Sequence, residues 1–281
     1  MKPTCLGLIG MGHLGSDLAG RATEAGVKRI VGYSTRRAEV VEAARRGLIS
    51  EVATTAEQVA RAADFTVIVQ NVSKTIVLLR RLAGLLVTRS VFCTDLSPVK
   101  EPVMKAAGSL GLGEHFAGSH AFIGSERSDP TKAREGRFRE MVVYVTPLER
   151  GSKAANEVAD FWHRIVGAAP VISDAETHDR LVGWTSHLPR AIASGLALTL
   201  AENGPKGVTY DPDALLTTAA AAGDVDTWAD NLLHNRSRLI DAIGAAESGL
   251  QRLKNALIAG DSKAVRGWLM EGHRWRIEAD R

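Results

Sequence analysis

The sequence predicts an α/β fold, in which a mainly parallel β-sheet with intervening helices is followed by an all-helical C-terminal domain. Short β-rich runs alternate with helical segments up to residue 172, whereas every strong signal beyond Asp174 is helical. All five tryptophans lie beyond residue 160, so the two parts of the chain also differ in composition. We therefore expect two domains, at residues 1–173 and 174–281.

The predicted strands are short apolar runs separated by helical segments. They cover residues 6–9, 29–33, 65–69, 91–94, 115–118, 141–145 and 170–172. One intervening helix is predicted over residues 55–63, where Thr55 and Gln58 have the spacing of a capping box. Alternation of this kind is typical of βαβ units.

Two long helices are predicted in the C-terminal domain. The first extends from about residue 177 to about residue 202 and contains Pro189, which should kink it because proline removes a backbone donor. The second has apolar residues at alternating steps of four and three, which form one stripe along the helix. The stripe consists of Leu239, Ile243, Ala246, Leu250, Leu253 and Leu257. Either other helices of the chain or a second subunit must cover it, and we expect a homodimer through the C-terminal helices.

Composition excludes several classes of protein. The 281 residues carry 35 basic and 32 acidic side chains, a net charge of +3 that does not indicate a partner among nucleic acids or acidic membranes. No apolar run approaches the ~18 residues of a membrane span, and the N-terminus lacks the features of a signal peptide. We expect a cytoplasmic protein with buried thiols at Cys5 and Cys93 and no metal site.

A glycine-rich motif directly follows the first predicted strand and opens a helix. It reads Gly10-Met11-Gly12-His13-Leu14-Gly15. In this context Gly10 permits a tight turn, Gly12 lets the backbone approach a pyrophosphate, and Gly15 lets helix and strand pack closely. The N-terminus of the helix offers N–H groups and a partial positive charge to phosphates. The motif predicts a Rossmann-type domain that binds a dinucleotide.

The end of the second strand indicates which dinucleotide is bound. It reads Ser34-Thr35-Arg36-Arg37, without the carboxylate that holds the ribose 2′-hydroxyl in NAD sites. Because arginine can bind a 2′-phosphate in a bidentate manner, we expect NADP, with NAD as the alternative. Arg37 is otherwise a solvated cation at a helix start. We also count Asn71, just after the third predicted strand, among the cofactor-binding residues.

Three further segments carry a family resemblance. They are Thr94-Asp95-Leu96-Ser97-Pro98-Val99-Lys100, then Gly118-Ser119-His120-Ala121-Phe122-Ile123-Gly124-Ser125-Glu126, then His178-Asp179 followed by Ser186-His187-Leu188-Pro189-Arg190. In this order after a Rossmann start, the chain resembles the prephenate/arogenate dehydrogenase family over nearly its whole length, and Trp228 and Asn235 match the family's W…N segment. The resemblance implies an oxidoreductase of tyrosine biosynthesis. Such an enzyme transfers hydride from a cyclohexadienol carbinol to nicotinamide, and loss of carbon dioxide aromatises the ring.

His120 is the strongest catalytic candidate. Removal of hydride from a carbinol leaves a proton for a base, and imidazole titrates in the physiological range. The residue follows a predicted strand, where α/β enzymes place chemistry beside the nicotinamide, and in the resemblance it matches the catalytic histidine. The alternative is a structural loop histidine. Ser97 either hydrogen-bonds the same hydroxyl or the histidine, or caps a helix whose first residue is Pro98.

His187 is either a third active-site residue that binds substrate or a buried, hydrogen-bonded histidine. Helical spacing places Trp184 and Arg190 on its face and His178 on the opposite side. We interpret His178 and Asp179 as structural or interdomain residues at the start of the helix.

The sequence departs from the family at its substrate contacts. The family's HPMAG is here His120-Ala121-Phe122-Ile123-Gly124, SHLPH ends in Arg190, and Thr217-Thr218 stands where the family has its carboxylate-binding arginine. A buried acidic substrate needs a cationic partner, so we expect Arg190 to supply it and Phe122 to reshape the pocket. Two alternatives remain: a related enzyme acting on an amino-substituted cyclohexadiene, a ketone or an imine, and a non-catalytic dinucleotide sensor. His120 argues against the sensor, which needs no base.

Overall fold

The computed structural model describes residues 2–122, 138, 140–149 and 152–279. The chain forms two compact units, one made of Met1–Val182 with Ala222–Asn235 and the other of Gly183–Ala221 with Arg236–Arg281. Relative to the predicted boundary at residue 173, the first unit thus also holds residues 174–182 and 222–235. Within the described part of the chain, no helix is both long and apolar enough to cross a bilayer.

A five-stranded parallel sheet forms the centre of the first unit. Its strands are β1 (Cys5–Ile9), β2 (Arg29–Tyr33), β3 (Glu51–Val52), β4 (Phe65–Ile68) and β5 (Phe92–Asp95). Their spatial order is β3-β2-β1-β4-β5, with every neighbouring pair parallel. The order reverses between β1 and β4, as in the nucleotide-binding half of a Rossmann fold. The predicted fold class is confirmed; β3 was missed because it is two exposed residues long.

The last three strands form a second sheet, which corrects the expectation that all the strands belong to one mainly parallel sheet. They are β6 (Ala117–Ala121), β7 (Val142–Pro147) and β8 (Ala169–Ile172). β7 runs antiparallel to β6 and parallel to β8. A single parallel bridge joins Cys93 of β5 to Phe116, the residue before β6. Beyond this bridge, β6 pairs with β7 and not with β5.

The helices follow the predicted alternation with the strands. They are α1 (His13–Glu24), α2 (Arg37–Arg45), α3 (Ala56–Ala62), α4 (Val72–Thr88), α5 (Glu101–Ser109), α6 (Lys153–Asp160), α7 (Ala175–Val182), α8 (Leu188–Asn203), α9 (Pro212–Thr218), α10 (Val225–His234), α11 (Arg236–Ile258) and α12 (Ser262–Ala279). At the start of α3, the Thr55 hydroxyl accepts from the Gln58 N–H at 3.2 Å, as predicted. The Gln58 side chain accepts from the Thr54 N–H instead of that of Thr55.

Two apolar layers enclose the parallel sheet. Leu6 and Leu8 of β1 pack with α1 and α2 on one face, whereas Cys5 and Ile9 pack with α3 and α4 on the other. The alternation follows from the period of two along a strand. The Cys5 and Cys93 thiols are free and buried, as expected, and burial raises the pKa of both.

The first predicted long helix is divided between the two units. Its start is α7 of the first unit, whereas the second unit holds a π-helical segment at Gly183–His187 and then α8, which begins just ahead of Pro189. The second predicted long helix lies in the second unit. It is α11, which pairs with α12 through a hydrogen bond of 2.9 Å from the Trp268 indole to the Gly249 carbonyl. The α11 stripe is covered only near its start: Leu239 is buried, whereas Leu257 is 61% exposed.

Candidate active site

The glycine loop has the geometry that a dinucleotide requires. Gly10 has φ of +111°, and a Cβ there would lie 2.2 Å from the Val69 carbonyl oxygen. A Cβ on Gly15 would lie 2.0 Å from the Gly10 carbonyl oxygen, so these two positions accept only glycine. A Cβ on Gly12, which precedes α1, would meet no atom within 4 Å. Open space therefore lies at the N-terminus of α1, where a pyrophosphate fits.

Two of the other residues of the loop direct their side chains into the protein rather than into this space. Met11 is buried and Leu14 packs against the core of the first unit, whereas His13 is exposed at the first position of α1. The first turn of α1 contains no acidic residue, so the positive end of the helix dipole is not neutralised by its own side chains.

A carboxylate that the sequence analysis missed lies at the end of β2. Glu39 of α2 accepts a hydrogen bond from the Ser34 hydroxyl at 2.7 Å and from the Arg36 guanidinium at 3.1 Å. Thr35 and Arg37 are exposed, and Arg37 begins α2. The acid lies five residues beyond Ser34 in sequence, and the first turn of α2 brings it back. Its spacing of three from Arg36 was the available signal.

Asn71 caps α4. Its side-chain oxygen accepts from the Lys74 N–H at 3.0 Å, and Ser73, two residues further on, donates to the Asp230 carboxylate of α10. The loop before Asn71 touches Gly10, because a Cβ there would lie 3.0 Å from the Gln70 side-chain nitrogen. Asn71 therefore stands beside the glycine loop, at the carboxyl edge of the sheet.

A buried polar cluster ties β6 to the carboxyl end of β5. The Lys100 ammonium lies 2.6 and 2.8 Å from the two Asp95 carboxylate oxygens and donates to the Ser119 carbonyl at 2.8 Å. Asp95 also accepts from the Ser119 N–H at 3.2 Å. Burial lowers the pKa of Lys100, and Asp95 counteracts this effect.

Ser97 belongs to the same cluster. Its hydroxyl donates to Asp95 and accepts from Lys100 at 3.3 Å. The helix that follows begins at Glu101 with Pro102 in its first turn, so the predicted helix with Ser97 as cap and Pro98 as first residue is wrong. The reason is that the Asp95 carboxylate binds the Ser97 N–H and hydroxyl in a tight turn before the helix.

His120 and Phe122 lie together on one face of the second sheet. Ser119 points to the opposite face, where its hydroxyl accepts from the buried Trp162 indole at 2.8 Å. The His120 and Phe122 rings are 5.2 Å apart, and the Phe122 ring is 4.7 Å from that of Tyr144, which pairs with His120 across β6 and β7. Residues 123–137, including Ile123-Gly124-Ser125-Glu126 of the motif, lie outside the described residues.

His178 and Asp179, which the sequence analysis interprets as structural or interdomain residues, are in hydrogen-bond contact with this group. His178 Nε2 lies 3.0 Å from His120 Nδ1, and His178 Nδ1 lies 2.7 Å from the Asp179 carboxylate. Asp179 also accepts from the backbone N–H groups of Lys100 and Glu101. The sequence signal was the adjacent His-Asp pair at the start of a helix.

His187 and Arg190 lie in the second unit and share a buried face. The Arg190 guanidinium donates to the Ala220 carbonyl, and burial lowers its pKa. Trp184 does not share that face and is 46% exposed. The predicted spacing fails for Trp184 because Gly183–His187 is π-helical, which turns each residue through a smaller angle than an α-helix does.

Comparisons with known protein families cover most of the chain. The family model described as prephenate dehydrogenase, nucleotide-binding domain, matches residues 18–171. The model described as prephenate dehydrogenase, dimerization domain, matches residues 174–271.

Individual proteins show the same similarity. Prephenate dehydrogenase of Bacillus subtilis is 27% identical over 86% of this chain and 66% of its own length. Cyclohexadienyl dehydrogenase of Zymomonas mobilis is 26% identical over 97% of this chain and 94% of its own. A crystal structure of prephenate dehydrogenase from Aquifex aeolicus with hydroxyphenyl propionate and NAD+ superposes with a TM-score of 0.89, 25% identity and 98% coverage of both chains.

Proposed function

The chain belongs to the prephenate dehydrogenase family, and on that premise we propose that it oxidises a cyclohexadienol, prephenate or arogenate, with loss of carbon dioxide. The predicted resemblance is thereby confirmed, and the protein is an NAD(P)-dependent oxidoreductase. A dinucleotide held at the glycine loop would supply an oxidised nicotinamide as the hydride acceptor for the ring carbinol. The hydroxyl proton passes to a protein base, and cleavage of the bond to the ring carboxylate releases carbon dioxide and leaves a phenol.

His120 is the proposed base, and its position on β6 is the observation that carries the proposal. Its neighbour Ser119 is hydrogen-bonded to Asp95 at the carboxyl end of β5. The glycine loop follows the carboxyl end of β1 in the same parallel sheet. Ligands of such sheets bind outside the carboxyl ends of the strands. An imidazole there can accept the carbinol proton, and the Phe122 ring beside it adds an apolar wall to the pocket.

We propose NADP+ as the preferred dinucleotide, bound through Ser34, Thr35, Arg36 and Arg37. The exposed guanidinium of Arg36, with 78% of its side chain accessible, supports this choice. Glu39 works against it, because its carboxylate neutralises Arg36 and repels a 2′-phosphate. The 2′-phosphate must therefore displace Glu39 from Arg36, and NAD+ is the alternative substrate.

Arg190 is the proposed partner of a substrate carboxylate, with His187 one helical turn before it. Both side chains are buried in the second unit, where the charge of a guanidinium is costly to bury unless anionic or carbonyl partners accept its hydrogen bonds. The Ala220 carbonyl serves Arg190 as such a partner. A contact between this guanidinium and a carboxylate would be charge-assisted and therefore stronger than its contact with a carbonyl.

We propose that two chains associate through α11 and α12. These helices border an open groove of about 700 Å³ lined by apolar residues such as Leu257, Val265 and Leu269. Among the described residues α12 buries no side chain, although it carries Leu269 and Trp275. A second copy would remove these side chains from water.

The test is turnover of prephenate and of arogenate with NAD+ and NADP+, followed by reduced-nicotinamide absorbance and by chromatography of the aromatic product. We expect one aromatic product per reduced nicotinamide. His120→Gln should lower kcat by about 10²- to 10⁴-fold without weakening dinucleotide binding. His163→Gln, at an exposed position, is the matched control. Dinucleotide binding without an aromatic product from either substrate would overturn the proposal and favour another substrate or a sensor.

A further inference from the structure

Three side chains from two segments form a continuous hydrogen-bonded row in the first unit. Asp179 and His178 come from α7, and His120 comes from β6. The carboxylate of Asp179 lies 2.7 Å from His178 Nδ1, and His178 Nε2 lies 3.0 Å from His120 Nδ1. His178 and Asp179 are both buried.

The Asp179 carboxylate determines which atom donates in each hydrogen bond of the row. Its two carboxylate oxygens accept from the backbone N–H groups of Lys100 and Glu101 at 2.7 and 2.8 Å, an arrangement that suits an acceptor-only carboxylate. His178 Nδ1 must then carry a hydrogen and donate it to Asp179. In a neutral imidazole the other nitrogen, Nε2, is consequently an acceptor.

The surroundings of His178 favour its neutral form. Burial lowers its pKa, the Asp179 and Asp95 carboxylates raise it, and the Lys100 ammonium lowers it. Besides these groups, two titratable side chains of the second sheet also contact its ring, His120 and Tyr144. The Phe122 ring, 6.3 Å from the imidazole, adds an apolar neighbour. A neutral His178 with a hydrogen on Nδ1 can only accept from His120.

We infer that His178, oriented by Asp179, fixes the tautomer of His120, with the hydrogen on Nδ1 and the basic lone pair on Nε2. This inference rests on the proposed function of His120 as the base that takes the carbinol proton. His178 is a positioning residue, since it acts through His120. When Nε2 takes up the proton, the Nδ1–H bond to His178 becomes charge-assisted and stabilises the imidazolium.

Asn235, which follows the last residue of α10, supports the same row. Its side-chain amide donates to the Asp179 backbone carbonyl at 2.9 Å, and the side chain is buried. This bond holds the backbone of α7 in the position where the Asp179 carboxylate accepts from the N–H groups of Lys100 and Glu101. The orientation of His178 therefore depends on α7, on the start of α5 and on the residue that follows α10.

The first experiment reads the tautomer directly and needs no turnover. The full-length protein, labelled with ¹⁵N in its eight histidines, gives the ring nitrogen shifts of His120, assigned by comparison with His120→Gln. We expect a protonated Nδ1 and an unprotonated Nε2 near neutral pH. The same pattern should persist in His178→Gln, whose amide oxygen can accept from Nδ1, and should become a mixture of tautomers in His178→Phe. A hydrogen on Nε2 in the unaltered protein would overturn the inference.

The second experiment follows kcat and KM against pH in the same variants, with the substrate and dinucleotide that the unaltered enzyme uses. His178→Phe should lower kcat by about 10- to 100-fold, as loss of an orienting partner does elsewhere, with KM nearly unchanged. Its acid limb should move to lower pH, because the imidazolium of His120 has lost its acceptor. His178→Gln should restore most of kcat. Equal profiles for the unaltered enzyme and His178→Phe would overturn the inference.

The two experiments separate the inference from the proposed function. Absence of turnover in the unaltered enzyme counts against the proposed function, while the ring nitrogen shifts still decide the tautomer. If His178→Phe does not fold, the shifts of the unaltered protein and of His178→Gln decide it alone.

Discussion

The Lys100 ammonium lies 2.6 Å from the Asp95 carboxylate, and both side chains are fully buried. Asp95 ends β5, and the pair holds the backbone of Ser119 on both its N–H and its carbonyl. The residue after Ser119 is His120. One ion pair therefore fixes the strand that carries the proposed base at the carboxyl edge of the parallel sheet.

Lys100→Met should destabilise the first unit strongly. It leaves the Asp95 carboxylate buried without its cation, which costs about 3–5 kcal/mol of unfolding free energy. Urea denaturation followed by tryptophan fluorescence measures the change. Lys105→Met, at an exposed position of α5, should change the unfolding free energy by less than about 0.5 kcal/mol. Equal stability of the two variants would show that the pair contributes nothing.

Substitutions in the glycine loop can distinguish an effect on dinucleotide binding from an effect on the stability of the fold. Gly12→Ala should leave stability unchanged, because its Cβ meets no protein atom, and should raise the dinucleotide Kd about tenfold or more by occupying the space of the pyrophosphate. Gly15→Ala should cost at least about 1–3 kcal/mol of stability, since its Cβ would overlap the Gly10 carbonyl.

Calorimetric titration and thermal unfolding report the two effects. Gly84→Ala is the control, a helical glycine of α4 whose Cβ also meets nothing and whose replacement should be neutral or stabilising. Unchanged dinucleotide affinity in Gly12→Ala would show that the pyrophosphate does not bind at this loop.

Local patterns were sufficient to predict the parallel sheet and the glycine loop. The strand runs and the GxGxxG spacing are patterns of neighbouring residues. Of the five strands of the parallel sheet, the two-residue β3 is the one that these patterns did not predict. The two missed contacts differ in range. Glu39 reaches Ser34 from five residues along the chain, through the first turn of α2, and its spacing from Arg36 was a local signal. His178 reaches His120 across 58 residues of chain. This second contact depends on tertiary packing, to which the periodicity of a single helix gives no access.

The dinucleotide preference should depend on Arg36 and Glu39 in opposite directions. Arg36→Ala should lower kcat/KM for NADP+ about tenfold or more and leave that for NAD+ nearly unchanged, because only NADP+ has the 2′-phosphate. Glu39→Gln should raise the ratio of NADP+ to NAD+ efficiency, since it removes a repulsive carboxylate.

Arg45→Ala is the matched control for that pair, because Arg45 forms an ion pair of the same spacing with Glu42 on α2. It should change neither efficiency. Equal use of both dinucleotides by the unaltered enzyme would contradict the assignment of Arg36 to a 2′-phosphate.

Arg190→Ala should raise KM for the acidic substrate by tenfold or more, with a smaller fall in kcat, because a carboxylate loses its charge-assisted partner. Arg190→Lys should recover part of the affinity, because the ammonium keeps the positive charge but cannot bind a carboxylate in a bidentate manner as a guanidinium does. Steady-state kinetics supply both constants, and thermal unfolding detects any loss from the Ala220 contact. Arg180→Ala, an exposed arginine of α7, is the control. A KM unchanged by Arg190→Ala would exclude this residue as the carboxylate ligand.

Leu257→Glu should dissociate the proposed dimer. Leu257 lies on the exposed part of the α11 stripe beside the groove formed with α12, so a carboxylate there would be buried without a partner on association. Light scattering after size exclusion should give twice the chain mass of 30.0 kDa for the unaltered protein and one chain mass for the variant. Val77→Glu adds the same charge at an exposed position of α4 and should remain dimeric. If the unaltered protein has the mass of one chain at micromolar concentration, the proposed dimer is contradicted, and dimerisation does not explain the exposed apolar side chains of α11 and α12.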